Sequence, residues 1–330
     1  MFLLGAKLYI TFASSFEEGP HHDVNTTVTV DKNLMAQSGI IDYIRLLRPR
    51  QWLKNGFVIL PLVFGGRMID GGLSYWLNCL EACVAFCLAA SSIYCINDVI
   101  DCTYDSTHPV KRERPVASGR ISRNSALVIS VFAIVLSLSV LYASGMYRVM
   151  AIIGGYWGMN IAYCLWLKYI SIIDMFIIAT GFVMRVFAGG IATGIPISPW
   201  MVCLTFILTL LLVWAKRRED VATAEASDKN YRRGTEGYNL LFMNCVVCVL
   251  ASVTIVCYMM FTLSADLMER LHSEYVYLTS IFVIAGIIRY MQIVFTGVKA
   301  GEPTRTISSD PFIITCLLLW GVTYLAILYV

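Results

Sequence analysis

Apolar residues run along this chain in long unbroken blocks, separated by short polar or charged connections. The blocks lie near 52–66, 74–96, 124–143, 147–167, 171–192, 199–215, 239–263, 275–296 and 311–330. Most approach the roughly 20 residues that an α-helix needs to cross the hydrocarbon core of a bilayer. The first block is the weakest, because Pro61 interrupts it and Gly65-Gly66 close it. The pattern predicts an all-α, polytopic membrane bundle of about nine transmembrane helices, with the two termini on opposite sides. Residues 40–330 carry it as one domain. Residues 1–39 form a separate N-terminal tail: Met1–Phe16 is partly apolar without a basic n-region or cleavage site, and 17–34 is polar and acidic. The pair His21-His22 is a metal candidate or simply part of a solvated tail, and Met35 is an alternative translation start.

Composition supports the membrane assignment. Hydrophobic residues make up 58% of the 330 and charged ones 14%, and mean hydropathy is +0.70, which a soluble domain of this size does not need. The eleven cysteines sit mostly inside apolar blocks, where cysteine acts as a small hydrophobe. Cys245 and Cys248 form a C-x-x-C without a second pair or a nearby histidine, so helix packing is preferred there to zinc or redox chemistry.

Charge then orients the bundle. Arg45, Arg48, Arg50 and Lys54 precede the first block. Lys111, Arg112, Arg114, Arg120 and Arg123 follow the second. Lys216, Arg217, Arg218, Lys229, Arg232 and Arg233 follow the sixth, and Lys299 and Arg305 precede the last. The alternate connections carry little more than Arg67, Arg148 and Arg270. By the positive-inside rule the basic connections and the N-terminus are cytoplasmic. Asp42–Asn55 interleaves apolar and basic residues around Trp52, which suits the membrane interface.

The candidate chemistry lies at the cytoplasmic end of the second block. Asp98, Asp101 and Asp105 stand at i, i+3 and i+7, so on a helix they share one face with Asn97 beside them. Carboxylates at a helix C-terminus are opposed by the macrodipole and repel one another; a divalent cation relieves both costs. Oxygen-only donors favour magnesium, which bridges substrate phosphates. Lys111, Arg112 and Arg114 follow in the same connection, and bases beside acids suit a diphosphate at the membrane surface. Lys168 and Asp174 flank the start of the fifth block. Arg185 lies inside it, where an arginine costs at least about 2.5–3.5 kcal/mol and so faces a partner or a cavity. It either pairs with an acid on a neighbouring helix or lines the pocket and neutralises phosphate. Lys216–Glu225 reads as a charged loop, Glu81 as a snorkelling or helix-paired acid, His108-Pro109 as a turn or a ligand contact, and Asp310-Pro311 as a turn into the last helix. No G-x-G-x-x-G, P-loop or Ser-His-Asp set is evident, and nucleic acid is not an expected partner. A transporter would carry its ionisable residues near the midplane, whereas here they cluster at one face.

Asn97-Asp98-x-x-Asp101-x-x-x-Asp105 resembles the first acidic motif of the UbiA-type intramembrane prenyltransferases, helical bundles of typically nine spans. Arg48-Pro49-Arg50-Gln51-Trp52-Leu53-Lys54-Asn55, His108-Pro109-x-Lys111-Arg112-x-Arg114-Pro115, Lys168 with Asp174, and Gly181–Arg185 are similar to the decaprenyl-phosphate phosphoribosyltransferase branch. The resemblance implies transfer of 5-phosphoribose from phosphoribosyl pyrophosphate to a polyprenyl phosphate, in cell-envelope biosynthesis at a bacterial inner membrane. It implies Asp98 and Asp101 as catalytic, with Asp98, Asp101 and Asp105 holding Mg2+. It further implies Lys54, Asn97, Lys111, Arg114, Lys168 and Arg185 as substrate-binding. Many members carry a second D-x-x-D motif later in the chain, which Lys216–Glu225 lacks. That departure favours phosphoribosyl pyrophosphate over the alternative, a prenyl diphosphate transferred to an aromatic acceptor.

Overall fold

The computed structural model describes residues 39–65, 72–108, 110–227, 238–271, 273–296 and 310–329. His21, His22, Met35, Arg67, Pro109, Lys229, Arg232, Arg233, His272, Lys299 and Arg305 lie outside the described residues. The described chain is helical, and it contains no strand. In order it comprises α1 (Ile40–Leu47), a 3-10 segment (Pro49–Ile59), α2 (Leu60–Phe64), α3 (Gly72–Asp105), α4 (Arg123–Ala143), α5 (Tyr147–Leu165) and α6 (Ile173–Thr193). Beyond these come α7 (Pro199–Ser227), α8 (Leu240–Thr262), α9 (Ala265–Leu271), α10 (Ser280–Thr296) and α11 (Pro311–Tyr329). Among the described residues, six helices are long and apolar enough to cross a membrane, formed by Gly72–Asp105, Arg123–Ala143, Ile173–Thr193, Pro199–Ala222, Leu240–Thr262 and Tyr275–Thr296; Pro311–Ile327 is a shorter apolar helix.

The apolar blocks mark the helices well, with two differences. The first block is not one α-helix but the 3-10 segment followed by the five residues of α2. It buries polar side chains, Gln51 and Asn55, against its neighbours, and Pro49 and Pro61 remove backbone donors from it. The connection expected over Lys216–Glu225 is a continuation of α7 to Ser227. Charged residues with good helix propensity extend the rod past its apolar part. Cys245 and Cys248 are exposed on α8 rather than packed, and Ser144 Oγ donates to Glu81, so that acid is helix-paired.

Two cores share α6. Met175, Ala179 and Phe182 pack with α7, α8, α10 and α11, while Ala188 and Ala192 pack with the 3-10 segment, α3, α4 and α5. Small residues let these backbones approach closely, and short hydroxyls join them. Ser137 Oγ donates to the Ala85 carbonyl at 2.7 Å, and Ser130 Oγ to the Ser92 carbonyl at 2.9 Å, knitting α3 to α4. The 3-10 segment lies in a groove of α6 floored by Gly189, where a Cβ would come within 1.8 Å of the Val58 carbonyl oxygen. The starts of α4 and α8 are capped: Ser122 Oγ accepts from Ser125 N–H at 3.0 Å and Asn239 Oδ1 from Phe242 N–H at 2.8 Å. Asp310 Oδ1 accepts from Ile313 N–H at 3.1 Å ahead of Pro311, and Arg289 Nη2 donates to the same carboxylate at 2.9 Å, tying α10 to α11.

Asp174, at the first turn of α6, is paired with Arg217 of α7, and both side chains are buried. Removing one partner leaves the other charge uncompensated. Asp174→Ala is therefore expected to lose about 3–5 kcal/mol of stability, measured as a lowered melting temperature of the detergent-solubilised protein.

Candidate active site

The last turns of α3 present the acids. Asp98 and Asp105 are buried and Asp101 is half-buried, and their helical spacing turns all three to the same side. Cations from three separate stretches of chain meet them. Arg48 follows α1 with a left-handed backbone (φ 51°, ψ 61°), a conformation unusual for a non-glycine residue. Its Nη2 donates to Asp98 Oδ1 at 2.6 Å, and its guanidinium lies 5.0 Å from the centre of the Tyr94 ring. Arg114 follows the 3-10 turn Lys111–Glu113. Its Nη1 bridges two acids, 2.7 Å from Asp105 Oδ2 and 3.4 Å from Asp98 Oδ1. Lys168 lies in the 3-10 turn Leu167–Tyr169 between α5 and α6, with Nζ 2.6 Å from Asp101 Oδ1. Burial pulls the Lys168 pKa down, but the hydrogen bond and charge of Asp101 outweigh it, so the ammonium stays above the usual lysine range.

The connection after α3 is shaped by His108. Its Nδ1 accepts from Val110 N–H at 3.2 Å and Lys111 N–H at 3.3 Å, the turn role of the two considered. Burial, and then the charge of Lys111, hold the imidazole below its ordinary pKa and so favour the neutral ring that accepts those bonds. Lys111 itself reaches back over the Tyr104 ring at 5.9 Å. Asn97 is half-buried on α3 next to Asp98, and Lys54 is half-buried in the 3-10 segment six residues past Arg48.

Arg185 is not brought to the acids. It is buried at 4% exposure, and it donates to Asn55 Oδ1 at 2.8 Å, Tyr156 Oη at 3.0 Å and the Gly181 carbonyl at 2.6 Å. Its guanidinium lies 5.4 Å from the Phe86 ring centre, 4.8 Å from Tyr156 and 5.1 Å from Phe182. Phe86 precedes Asp98 by twelve residues on α3, about 18 Å along the axis. Of the two expectations for Arg185, pairing with an acid fails: its partners are an amide, a phenol and aromatic faces. Arg48, read from the sequence as part of the positive-inside anchor and of the entry motif but not as a binding residue, joins the acidic cluster through Asp98. Its signal was an arginine before a proline at the break of an interfacial segment.

Three carboxylates against three cations form a neutral patch, which can exchange its internal partners for a cation and an anion arriving together. The donor set is all oxygen, as magnesium prefers. Among the described residues no three His, Cys, Asp or Glu side chains converge as a ready ligand cage. Magnesium does not need one, since it usually takes one or two carboxylates together with waters and substrate phosphates.

Residues 58–309 match the UbiA prenyltransferase family. A decaprenyl-phosphate phosphoribosyltransferase of Mycolicibacterium smegmatis is 32% identical over 317 residues, covering 93% of this chain and 97% of that protein. One of Corynebacterium glutamicum is 28% identical over 305 residues, covering 91% of this chain and 90% of that protein. Among solved structures, a UbiA homologue from Archaeoglobus fulgidus bound to GPP and Mg2+ aligns with a TM-score of 0.63 at 17% identity, over 88% of this chain and 100% of that one. Arg48 and Lys54 lie ahead of the family match, so their place in the site rests on geometry and position.

Proposed function

The chain belongs to the UbiA prenyltransferase family, an integral membrane transferase, and we propose that it moves 5-phosphoribose from phosphoribosyl pyrophosphate to a polyprenyl phosphate at the cytoplasmic face. The observation that carries the reading is the mutual pairing of three acids and three bases, with Arg48 on Asp98, Lys168 on Asp101, and Arg114 on both Asp105 and Asp98. A site that must accept a metal and a diphosphate keeps both sets of charge compensated while it is empty of substrate. The names of the curated relatives and the lack of a second D-x-x-D motif over Lys216–Glu225 support phosphoribosyl pyrophosphate as the donor.

In this reading Asp98, Asp101 and Asp105 are the residues that would hold Mg2+. When bound, the metal supplies charge neutralisation and orientation of the pyrophosphate leaving group. Arg114 and Lys168, released from the carboxylates, donate to phosphate oxygens. Lys54 and Lys111 extend the basic rim, and Asn97 offers an amide beside Asp98. An oxygen of the lipid phosphate attacks C1 of the ribose as the C1–O bond to pyrophosphate breaks, and pyrophosphate leaves with the bonding electron pair. The nucleophile is already anionic, so the step requires no general base. Arg185 takes no part in this phosphate set; it holds the 3-10 segment, and with it Lys54, through Asn55.

The test is an assay with radiolabelled phosphoribosyl pyrophosphate, Mg2+ and polyprenyl phosphate. Label is expected in the lipid fraction, with loss of transfer on chelation of the metal. Absence of lipid label, together with prenylation of an aromatic acceptor from a prenyl diphosphate, would assign the alternative activity.

A further inference from the structure

Among the described residues, two other than glycine have a left-handed backbone, Arg48 and Ile172. Arg48 carries its own guanidinium to Asp98. Ile172 carries no charge to bring to the acids, is branched at Cβ, and sits at φ 72°, ψ −49°, a conformation that persists only where its surroundings enforce it. Across it the Ile173 N–H donates to the Ser171 carbonyl at 2.8 Å, closing a γ-turn of the rare, strained hand.

The enforcing contacts are identifiable. The Ile172 N–H donates to Tyr238 Oη at 2.7 Å. The Tyr238 ring is itself fixed, stacked on Phe242 at 6.0 Å and 7° and edge-on to Trp214 at 5.7 Å and 73°. Two residues after the turn, buried Asp174 is paired with Arg217. Four residues before it, Lys168 meets Asp101. The connection between α5 and α6 is thus tied at three points, and the strained turn lies between the tie to the acids and the tie to α7.

We propose that Ile172 and Tyr238 are positioning residues: the strained turn, held by the Tyr238 hydroxyl, keeps the α5–α6 connection short and Lys168 fixed over the acidic face of α3, where it meets the phosphates of the donor. The inference rests on the assignment of Lys168 to phosphate in the proposed reaction. It makes local stability and site order pull in opposite directions. Glycine at 172 relieves the backbone and gives up little packing, because the Ile172 side chain is 45% exposed, yet it frees Lys168 to move.

The experiment measures Mg2+-dependent binding of phosphoribosyl pyrophosphate, by calorimetry on the full chain in detergent, alongside the melting temperature. Ile172→Gly is expected to melt no lower than wild type and to bind about fivefold more weakly, a loss within the range of coupling between interacting residues. Lys168→Met is expected to bind weakly as well, and adding Ile172→Gly to it is expected to change nothing further, since both act through one contact. Tyr238→Phe keeps the ring packing, removes only the acceptor, and is expected to weaken binding about twofold. If Lys168→Met alone weakens binding while Ile172→Gly and Tyr238→Phe bind as wild type, the positioning role falls and the assignment of Lys168 stands. Wild-type binding by Lys168→Met removes that assignment and the inference with it. A lowered melting temperature in Ile172→Gly, or an independent loss on top of Lys168→Met, also overturns the positioning role.

Discussion

Asp98→Asn is expected to lower turnover on the order of a thousandfold, the scale seen when one preorganised electrostatic contact to a reacting centre is removed. The substitution keeps the shape of a side chain that is 2% exposed and removes only its charge. In the proposed reaction that charge would serve twice: it balances Arg48 and Arg114, at 2.6 Å and 3.4 Å, and it would be available to the metal once a diphosphate draws the bases away. Some stability is lost with it, because two guanidiniums then face a neutral amide. Turnover is therefore measured on protein shown to be monodisperse and folded at the assay temperature. Retention of more than about a tenth of the wild-type rate would contradict a catalytic role for this carboxylate. Arg112, whose charge faces water beside Glu113, supplies the contrast, and Arg112→Gln is expected to leave the rate unchanged.

The largest effect on folding is expected from Gly189→Ala. An added Cβ would lie 1.8 Å from the Val58 carbonyl oxygen and 2.8 Å from its carbon. Both are backbone atoms of a segment held on its α3 side by Cys79 and Cys83, which donate to the Val58 and Asn55 carbonyls. No side chain can rotate away to make room, so the 3-10 segment must leave its groove on α6. Its loss moves Lys54 and Arg48 together, and the expected cost is about 3 kcal/mol or more. The readout is the yield of monodisperse protein and its melting temperature. Gly154→Ala on α5 is the matched control: nothing lies within 4 Å of its Cβ position, so a normal yield is expected, helped by the better helix propensity of alanine. Equal behaviour of the two variants would show that the close approach does not limit packing.

Local chemistry was well written in the sequence. Asp98, Asp101 and Asp105 could be put on one face because helical spacing alone decides it, and Arg114, near them in the chain, does meet two of them, whereas Lys111 reaches the Tyr104 ring. Partners far apart in sequence were not legible. Arg48 reaches Asp98 across 50 residues and Lys168 reaches Asp101 across 67, and neither pairing has a periodicity to announce it. Lys168 was nevertheless singled out, because a charge at the edge of an apolar block is costly. Arg48 was absorbed into a basic cluster that the positive-inside rule already explained. Arg185 was flagged for the same reason as Lys168, but cost says only that a charge must be compensated, and depth decides by what. The 3-10 form of the first block and the extension of α7 to Ser227 were beyond a reading in which apolar content defines where helices begin and end.

The surroundings of Arg185 carry a consequence for biogenesis. Asn55, Phe86, Tyr156, Gly181 and Phe182 all precede it in the chain. An arginine halfway down an apolar helix is poorly tolerated by lipid, and a growing chain presents its helices in order of synthesis. When α6 leaves the ribosome, every group that shelters its guanidinium has already been made. The helix can partition against a waiting protein surface and need not cross bare hydrocarbon. A circular permutation that moved α6 ahead of α3 would keep every contact of the finished bundle and remove that shelter at the moment of insertion.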